Sequence, residues 1–308
     1  MEISVVDQSP IFTNTNADQA IRDSVELAQY SDQIGLKRFW LAEHHGSSSF
    51  AGCSPEILIS RIASSTKNIR VGSGGIMLMH YSPYKVAENF RLLESMFPRR
   101  IDLGLGRAPG SDPFQAGALA YGSKTTGPEF FPTKMNDLRS FLSNQTSETK
   151  SFENVNVTPG LGDIPDTWLL VSSEQGADYA SFFGLPMSLA YFINQDCLHL
   201  AKPYRENFQK SIFGDSPQVS VAVFAICAET NEEANLLASS ASIWRENVSK
   251  GIFGPFPTLE EATKKIKEKE EGKSIVGDQK YVEGQLMKIL EETNADELKI
   301  ITICESMS

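Results

Sequence analysis

An acidic residue and two histidines follow an apolar segment near the amino terminus and could carry acid–base chemistry. Phe39–Ala42 is followed directly by Glu43, His44 and His45. An imidazole accepts or donates a proton near neutral pH, and a neighbouring carboxylate can orient it. Because side chains alternate along an extended chain, at most one of the two histidines points into a shared site. No third ligand suggests a metal here, and a histidine hydrogen-bonded beneath a loop would explain the same residues.

A second cluster, Gly104–Gly110, surrounds one cation, Arg107. Its spacing is G-x-G-x-x-x-G, and Pro109 stands where a phosphate-binding helix should continue, which excludes a dinucleotide fingerprint. The small residues allow a flat ligand or a phosphate to approach a fixed guanidinium. The alternative is a surface arginine without a ligand.

The third cluster lies in Val171–Ala177, where a β-rich run leads into a helical pattern. It contains Ser172, Ser173 and Gly176. Free backbone N–H groups at a helix start form a phosphate cradle, although plain N-capping explains the serines equally well. We expect this turn and Arg107 to reach one phosphate from adjacent strands.

The elements that position these clusters alternate between short β-rich runs and longer stretches with helical periodicity. The predicted strands are Ile3–Val6, Arg38–Ala42, Ile69–Gly72, Ile101–Gly104, Trp168–Val171, Ser188–Ile193, Val219–Cys227 and Leu298–Ile303. The predicted helices are Asp18–Ile34, Pro55–Ser65, Lys85–Met96, Lys134–Leu142, Gln175–Phe183, Leu198–Lys210, Asn231–Ser249 and Lys280–Thr293. Eight strand–helix repeats predict an α/β fold, a (β/α)8 TIM barrel.

The barrel is predicted to be one domain spanning residues 1–308, with insertions at about 109–166 and 251–277. Excursions of this length are usually lids or surface insertions, and the charged run 264–273 reads as a solvated face. The sequence reaches Ser308 a few residues after the eighth predicted strand. We therefore expect the last helix to be missing, or another element to cover that flank.

Composition excludes several classes of protein. Lys and Arg number 28 against 39 Asp and Glu, a net charge of -11, which is the wrong sign for tracking a nucleic acid backbone. The four cysteines form no C-x-x-C pair, and we expect them to be reduced thiols. No signal peptide precedes the first strand, and no apolar run approaches the ~20 residues that span a bilayer. We expect a cytoplasmic protein that has no membrane partner and binds no metal.

Taken together, the motifs resemble those of the bacterial-luciferase-like flavin-dependent monooxygenases. The resemblance covers nearly the whole chain and is carried by blocks in the right order: Trp40–His45, Val71–Gly75, Val86–Glu88, Arg100–Gly110 and Gly184–Pro186. It implies a (β/α)8 barrel that binds reduced FMN (FMNH2) at its mouth. The residues that it assigns to the site are His44 as acid–base, Glu43 beside the flavin, Arg107, Ser172, Ser173 and Gly176 at the phosphate, and Gly74, Gly75, Gly106 and Tyr191 near the ring.

The resemblance also implies a reaction. We expect a two-component monooxygenase that takes FMNH2 from a separate NAD(P)H:flavin reductase, uses O2 to oxygenate a small organic substrate, and forms a homodimer. Part of 109–133 or 251–277 would close the mouth. Relatives often carry a non-proline cis peptide after the third strand, which predicts a cis Gly74–Gly75 bond. A deazaflavin-dependent hydride transfer and a non-catalytic FMN-binding protein are the two alternatives.

Overall fold

The computed structural model describes residues 1–107, 112–147, 149–160, 162–265 and 274–305. Pro109, Gly110 and most of the charged run 264–273 lie outside the described residues. Ten parallel strands fall within them: β1 Glu2–Asp7, β2 Arg38–Leu41, β3 Arg70–Ser73, β4 Ile76–Met77, β5 Ile101–Gly106, β6 Asp166–Val171, β7 Met187–Ala190, β8 Val219–Ala228, β9 Ile275–Asp278 and β10 Glu297–Ile301.

Eight of these strands close into a barrel in the order β1-β2-β3-β5-β6-β7-β8-β10, with β10 pairing back to β1. Each of the eight overlaps one of the predicted strands, so the TIM-barrel prediction is confirmed. The prediction missed β4, which pairs with β5, and β9, which pairs with β8 beyond the barrel. β4 has two residues, too few for a periodicity signal, and two of the four residues of β9 are a glycine and an aspartate, which are depleted in strands.

The helices connect successive strands around the outside of the barrel. Within the described residues they are α1 Ala17–Gln33, α2 Pro55–Ser65, α3 Pro83–Met96, α4 Pro113–Ala120, α5 Phe131–Ser143, α6 Glu174–Phe183, α7 Ala201–Asn207, α8 Asn231–Ser249, α9 Leu259–Thr263 and α10 Gln279–Thr293. The predicted helix 198–210 is instead a 3-10 turn at 195–200 followed by the short α7. Residues 302–305, after β10, are not helical.

Side-chain alternation divides the core into two layers. Phe39, Leu41 and Leu103 face outwards and pack in the large cluster between strands and helices. Trp40 and Trp168 face the barrel interior, with their rings 5.7 Å apart at 73°. A closed barrel of eight strands leaves just enough room for such side chains to fill it.

The interior also holds charged residues towards the amino-terminal ends of the strands. Asp102, fully buried, accepts hydrogen bonds from Arg38 (2.9 Å), Arg70 (2.8 Å) and Trp40 (2.9 Å). Glu297 accepts from Arg38 at 2.9 Å. The ammonium of buried Lys299 lies 4.1 Å from the Trp40 ring centroid. Asp102 and Glu297 form ion pairs with Arg38, Arg70 and Lys299, so the charges at this end of the barrel are largely compensated from within.

Candidate functional site

Glu43 and His45 form one hydrogen-bonded unit just after β2. Glu43 is 1% exposed and accepts hydrogen bonds from the backbone N–H of Met77 (3.0 Å) and the hydroxyl of Tyr81 (2.7 Å). Nε2 of His45 lies 2.7 Å from the Glu43 carboxylate and 3.2 Å from the Tyr81 oxygen. Burial and the hydrogen bond to Glu43 raise the pKa of Tyr81, which keeps its proton on the phenol. Glu43 therefore orients His45 and not His44.

His44 takes the opposite direction, as alternation predicts for adjacent residues. Its ring stacks on Phe50 with centroids 4.3 Å apart and planes at 20°. Nδ1 is buried and has no hydrogen-bond partner among the described residues. Burial, and to a lesser degree the charge of His45, lower the pKa of His44 to about 4. At neutral pH the ring is therefore uncharged.

The aromatic wall behind His44 is continuous. Phe50 packs edge-on against Trp244 and Phe256, each 5.5 Å away between ring centroids. Phe256 belongs to the predicted insertion 251–277 and is fully buried. Its backbone N–H donates to the carbonyl of Ile11, in the loop after β1, at 2.8 Å. This part of the insertion thus packs across the loops that follow β1 and β2.

Arg107 and the start of α6 meet at the ends of β5 and β6, as predicted. The Arg107 guanidinium donates to Ser173 Oγ at 2.9 Å and to the side-chain oxygen of Gln175 at 2.7 Å. Ser173 is the N-cap of α6 and also accepts from the backbone N–H of Gly176. The free donors of Arg107 and the N-terminus of α6 lie together, an arrangement suited to an anion.

Of the predicted glycines, Gly75 lies closely against a neighbouring backbone, and Gly74 and Gly106 lie closely against side chains. A Cβ on Gly75 would lie 2.8 Å from the carbonyl oxygen of Gly104, on the neighbouring strand, and one on Gly74 would lie 3.1 Å from Trp40 Cβ. A Cβ on Gly106 would lie 3.2 Å from the sulfur of Met77. The Gly74–Gly75 bond is cis, which confirms that prediction.

Two of the residues predicted to bind the cofactor, Tyr191 and Ser172, make other contacts in the structure. Tyr191 packs against the outer core, while the next residue, Phe192, packs with the barrel interior. Tyr191 lies in the turn that follows β7, and its place against the flavin ring stays a prediction. Ser172 contributes its carbonyl, which accepts a hydrogen bond from Asn194 at 2.9 Å.

With this geometry established, comparison with known proteins is informative. The sequence model of the luciferase-like monooxygenases matches residues 1–291. The chain belongs to the luciferase-like monooxygenase family. It is 33% identical over 307 residues to a luciferase-like monooxygenase of Escherichia coli, covering 96% of this chain and 90% of that protein. It is 45% identical over 240 residues to YwcH of Bacillus subtilis (78% and 72% covered), and 36% identical over 235 residues to the N-acetyl-S-alkylcysteine monooxygenase of the same organism (76% and 70%).

Solved structures place the fold in the same group. Apo-MsnO8 has a TM-score of 0.90 at 33% identity and covers 99% of this chain, with 93% of its own chain covered. The oxygenating constituent of a Pseudomonas putida 3,6-diketocamphane monooxygenase, solved with FMN, has a TM-score of 0.70 at 18% identity (97% and 91% covered). An F420-dependent secondary alcohol dehydrogenase has a TM-score of 0.66 at 11% identity (98% and 93% covered). The last two show the fold alone.

Sequence reasoning missed three residues that shape the site: Tyr81, Gln175 and Lys134. Each is brought in by a contact between distant segments, for which the sequence carries no local signal. The pairing of Glu43 with His45 did have a signal, because residues two apart in an extended segment lie on the same side. Of the helices that the structure describes, none is both long and apolar enough to cross a membrane.

Proposed function

We propose that this protein is a two-component monooxygenase that uses FMNH2, supplied by a separate NAD(P)H:flavin reductase, and O2 to oxygenate a small organic substrate. The observation that carries the proposal is the pairing, across one barrel mouth, of an anion site at Arg107 with an unpartnered buried nitrogen on His44. Membership of the monooxygenase family supports the reaction class. A homodimer is proposed on the resemblance to the family alone.

The residues at the phosphate end fit FMN. Arg107 uses two hydrogen bonds to fix its guanidinium on Ser173 and Gln175 and retains further N–H donors. The Arg107 guanidinium carbon lies over the Tyr179 ring, 5.4 Å from the ring centroid. The N-terminal turn of α6 adds backbone N–H groups and the positive end of the helix dipole. A phosphate bound here would receive charge and amides from two strands.

The residues at the other end fit the handling of a proton. Reduced FMN, when bound, supplies the electrons that activate O2. His44 is neutral at physiological pH, so its unpartnered nitrogen can accept a proton or hold one near the reacting atoms. Phe50 fixes the plane of the imidazole by stacking. Phe256 and the segment around it exclude water from the His44 side.

Oxygen dependence is the decisive experiment. The purified protein, a flavin reductase and NADH would be assayed under air and under argon, with FMN and then with a reduced deazaflavin. Oxygenated product only with FMN and air supports the proposal. Turnover under argon with the deazaflavin would favour hydride transfer, the reaction class of the F420-dependent neighbour. Tight FMN binding with no oxygenated product across a substrate panel, and with NADH and O2 consumption no greater than for the reductase alone, would favour a non-catalytic binder.

The phosphate assignment has its own test. Arg107→Ala should weaken FMN binding by about 1.5–3 kcal/mol, the range for hydrogen bonds to a charged group, and leave folding nearly unchanged. Riboflavin lacks the phosphate, so its affinity should not change. A flavin titration with equal affinities for FMN in the wild-type protein and the variant would remove Arg107 from the site.

A further inference from the structure

Lys134 is a buried cation that the proposed reaction does not use. It lies on α5, inside the predicted insertion 109–166, and is 7% exposed. Its ammonium donates to the backbone carbonyls of Met79 and Tyr81 at 2.9 Å and of Leu78 at 3.3 Å. No carboxylate of a described residue forms an ion pair with it. All three ammonium protons are therefore directed to one short segment, Leu78–Tyr81.

Burying the Lys134 ammonium costs free energy unless its N–H donors find hydrogen-bond acceptors. Burial lowers the pKa of Lys134 below its usual value, because no compensating charge is near. Three carbonyl acceptors satisfy an ammonium completely. An apolar side chain at the same place would fill space without bonding these carbonyls, so the contact serves to fix the backbone of the segment.

The segment held by Lys134 is the one that holds Glu43. The hydroxyl of Tyr81 and the backbone N–H of Met77 both donate to the Glu43 carboxylate. Met77 also lies in β4, paired with Gly106 of β5. The residues that Lys134 braces therefore connect the cis peptide region after β3 to the loop carrying the histidines.

The same face of α5 reaches the phosphate end of the site. Phe131 precedes Lys134 by three residues, so the two side chains lie on one side of the helix. The Phe131 ring is fully buried, and its centroid lies 5.8 Å from the guanidinium carbon of Arg107. One turn of α5 thus contacts both Arg107, at the proposed phosphate site, and the segment Leu78–Tyr81.

We propose that Lys134 is a positioning residue that holds the Leu78–Tyr81 segment, and through it Glu43, in the geometry that receives the flavin ring. The proposal rests on the proposed flavin function. It gives the insertion a definite role, since α5 contacts both Arg107 and the Leu78–Tyr81 segment and holds them in fixed relative positions. Lys134 touches no reacting group and acts only through the segment.

The test compares two flavins and three variants. Lys134→Met has similar length and no donors, and it should weaken FMN and riboflavin by the same factor, about tenfold, because the ring side is disturbed and the phosphate side is not. Arg107→Ala should weaken FMN alone. Leu138→Ala, on the same helix and fully buried, is the matched control: it should lower the melting temperature and leave both affinities unchanged.

A measurement without flavin separates positioning from simple stabilisation. Hydrogen exchange in Lys134→Met should accelerate at the amides of 77–81, while the amides of β1 and β8 exchange as in the wild-type protein. Lys134→Arg, which keeps the donors, should restore part of the protection, and it replaces the methionine variant if that one does not fold. Unchanged exchange at 77–81, or wild-type affinities for both flavins, would overturn the inference. A wild-type protein that binds neither flavin would instead refute the proposed function.

Discussion

At the amino-terminal end of the barrel Asp102 accepts hydrogen bonds from three side chains, whereas at the carboxyl-terminal end Nδ1 of His44 has no partner within the described part of the chain. Both groups are buried and polar. Burial would raise the pKa of Asp102, but the charges of Arg38 and Arg70 lower it below its usual value. Nothing nearby offsets burial at His44, and its pKa falls to about 4.

The contrast shows that residue type alone does not identify a functional site. Glu297, Lys299, Arg38 and Asp102 would look catalytic in a list of ionisable residues, yet each finds its partner inside the network. Among the described residues Arg107 donates to the neutral side chains of Ser173 and Gln175, and Nδ1 of His44 has no hydrogen-bond partner. Buried polar groups are costly unless satisfied, so an unsatisfied one after the carboxyl end of a barrel strand, such as His44 Nδ1, is a candidate for contact with a ligand.

The largest effect on stability should come from removing one charge from the buried ion pairs around Asp102. Asp102→Asn removes the charge that compensates Arg38 and Arg70 and should lower the free energy of unfolding by about 3–5 kcal/mol, measured by urea denaturation. Asp215→Asn, at an exposed aspartate, is the control and should change it by no more than about 0.5 kcal/mol. An Asp102 variant as stable as its control would show that the network is not what holds the amino-terminal end together.

The barrel itself was predictable, because each of its strands is a continuous β-rich run and each strand except the last is followed by helical periodicity. α4 was missed because none of its residues is buried, so it shows no amphipathic pattern. At the site, alternation was sufficient to separate His44 from His45, and the capping pattern located the start of α6. The contact of Lys134 with Tyr81 links residues 53 positions apart and depends on how the insertion folds back. Sequence patterns describe local order, and such contacts depend on tertiary packing.

The second effect contrasts the two histidines. Under the proposed function His44→Ala should lower turnover roughly 100-fold or more while flavin affinity is largely kept, as for loss of a general acid–base group. His45→Ala should leave turnover closer to that of the wild-type protein and reduce stability by about 1–3 kcal/mol, since it removes a partner of buried Glu43. Steady-state kinetics and urea denaturation on both variants test this. Equal kinetic losses would contradict the assignment of distinct roles.

The smallest effect is a pH dependence of stability that arises from His44 at the carboxyl-terminal end of the barrel. The pKa of His44 is about 4 in the folded protein and near 6.5 in the unfolded chain, so between these values the unfolded chain binds more protons. Lowering the pH from 7 to 4 should therefore cost the wild-type protein stability that the variant His44→Gln does not lose. Because water reaches part of the ring, we expect a difference of about 1–2 kcal/mol.

The free energy of unfolding of both proteins would be measured at pH 7, 5.5 and 4. The informative quantity is the gap, the difference in this free energy between the wild-type protein and His44→Gln. Taking the difference removes the titration of the carboxylates, which both proteins share. His199→Gln is the matched control, because the side chain of His199 is exposed, and it should run parallel to the wild-type protein. A ligand that donates a hydrogen bond to the neutral His44 nitrogen should enlarge the gap, since it stabilises only the unprotonated form. If the gap stays constant from pH 7 to pH 4, the pKa of His44 is the same in the folded and the unfolded protein, so burial does not affect the ring and the contrast between the two ends of the barrel disappears.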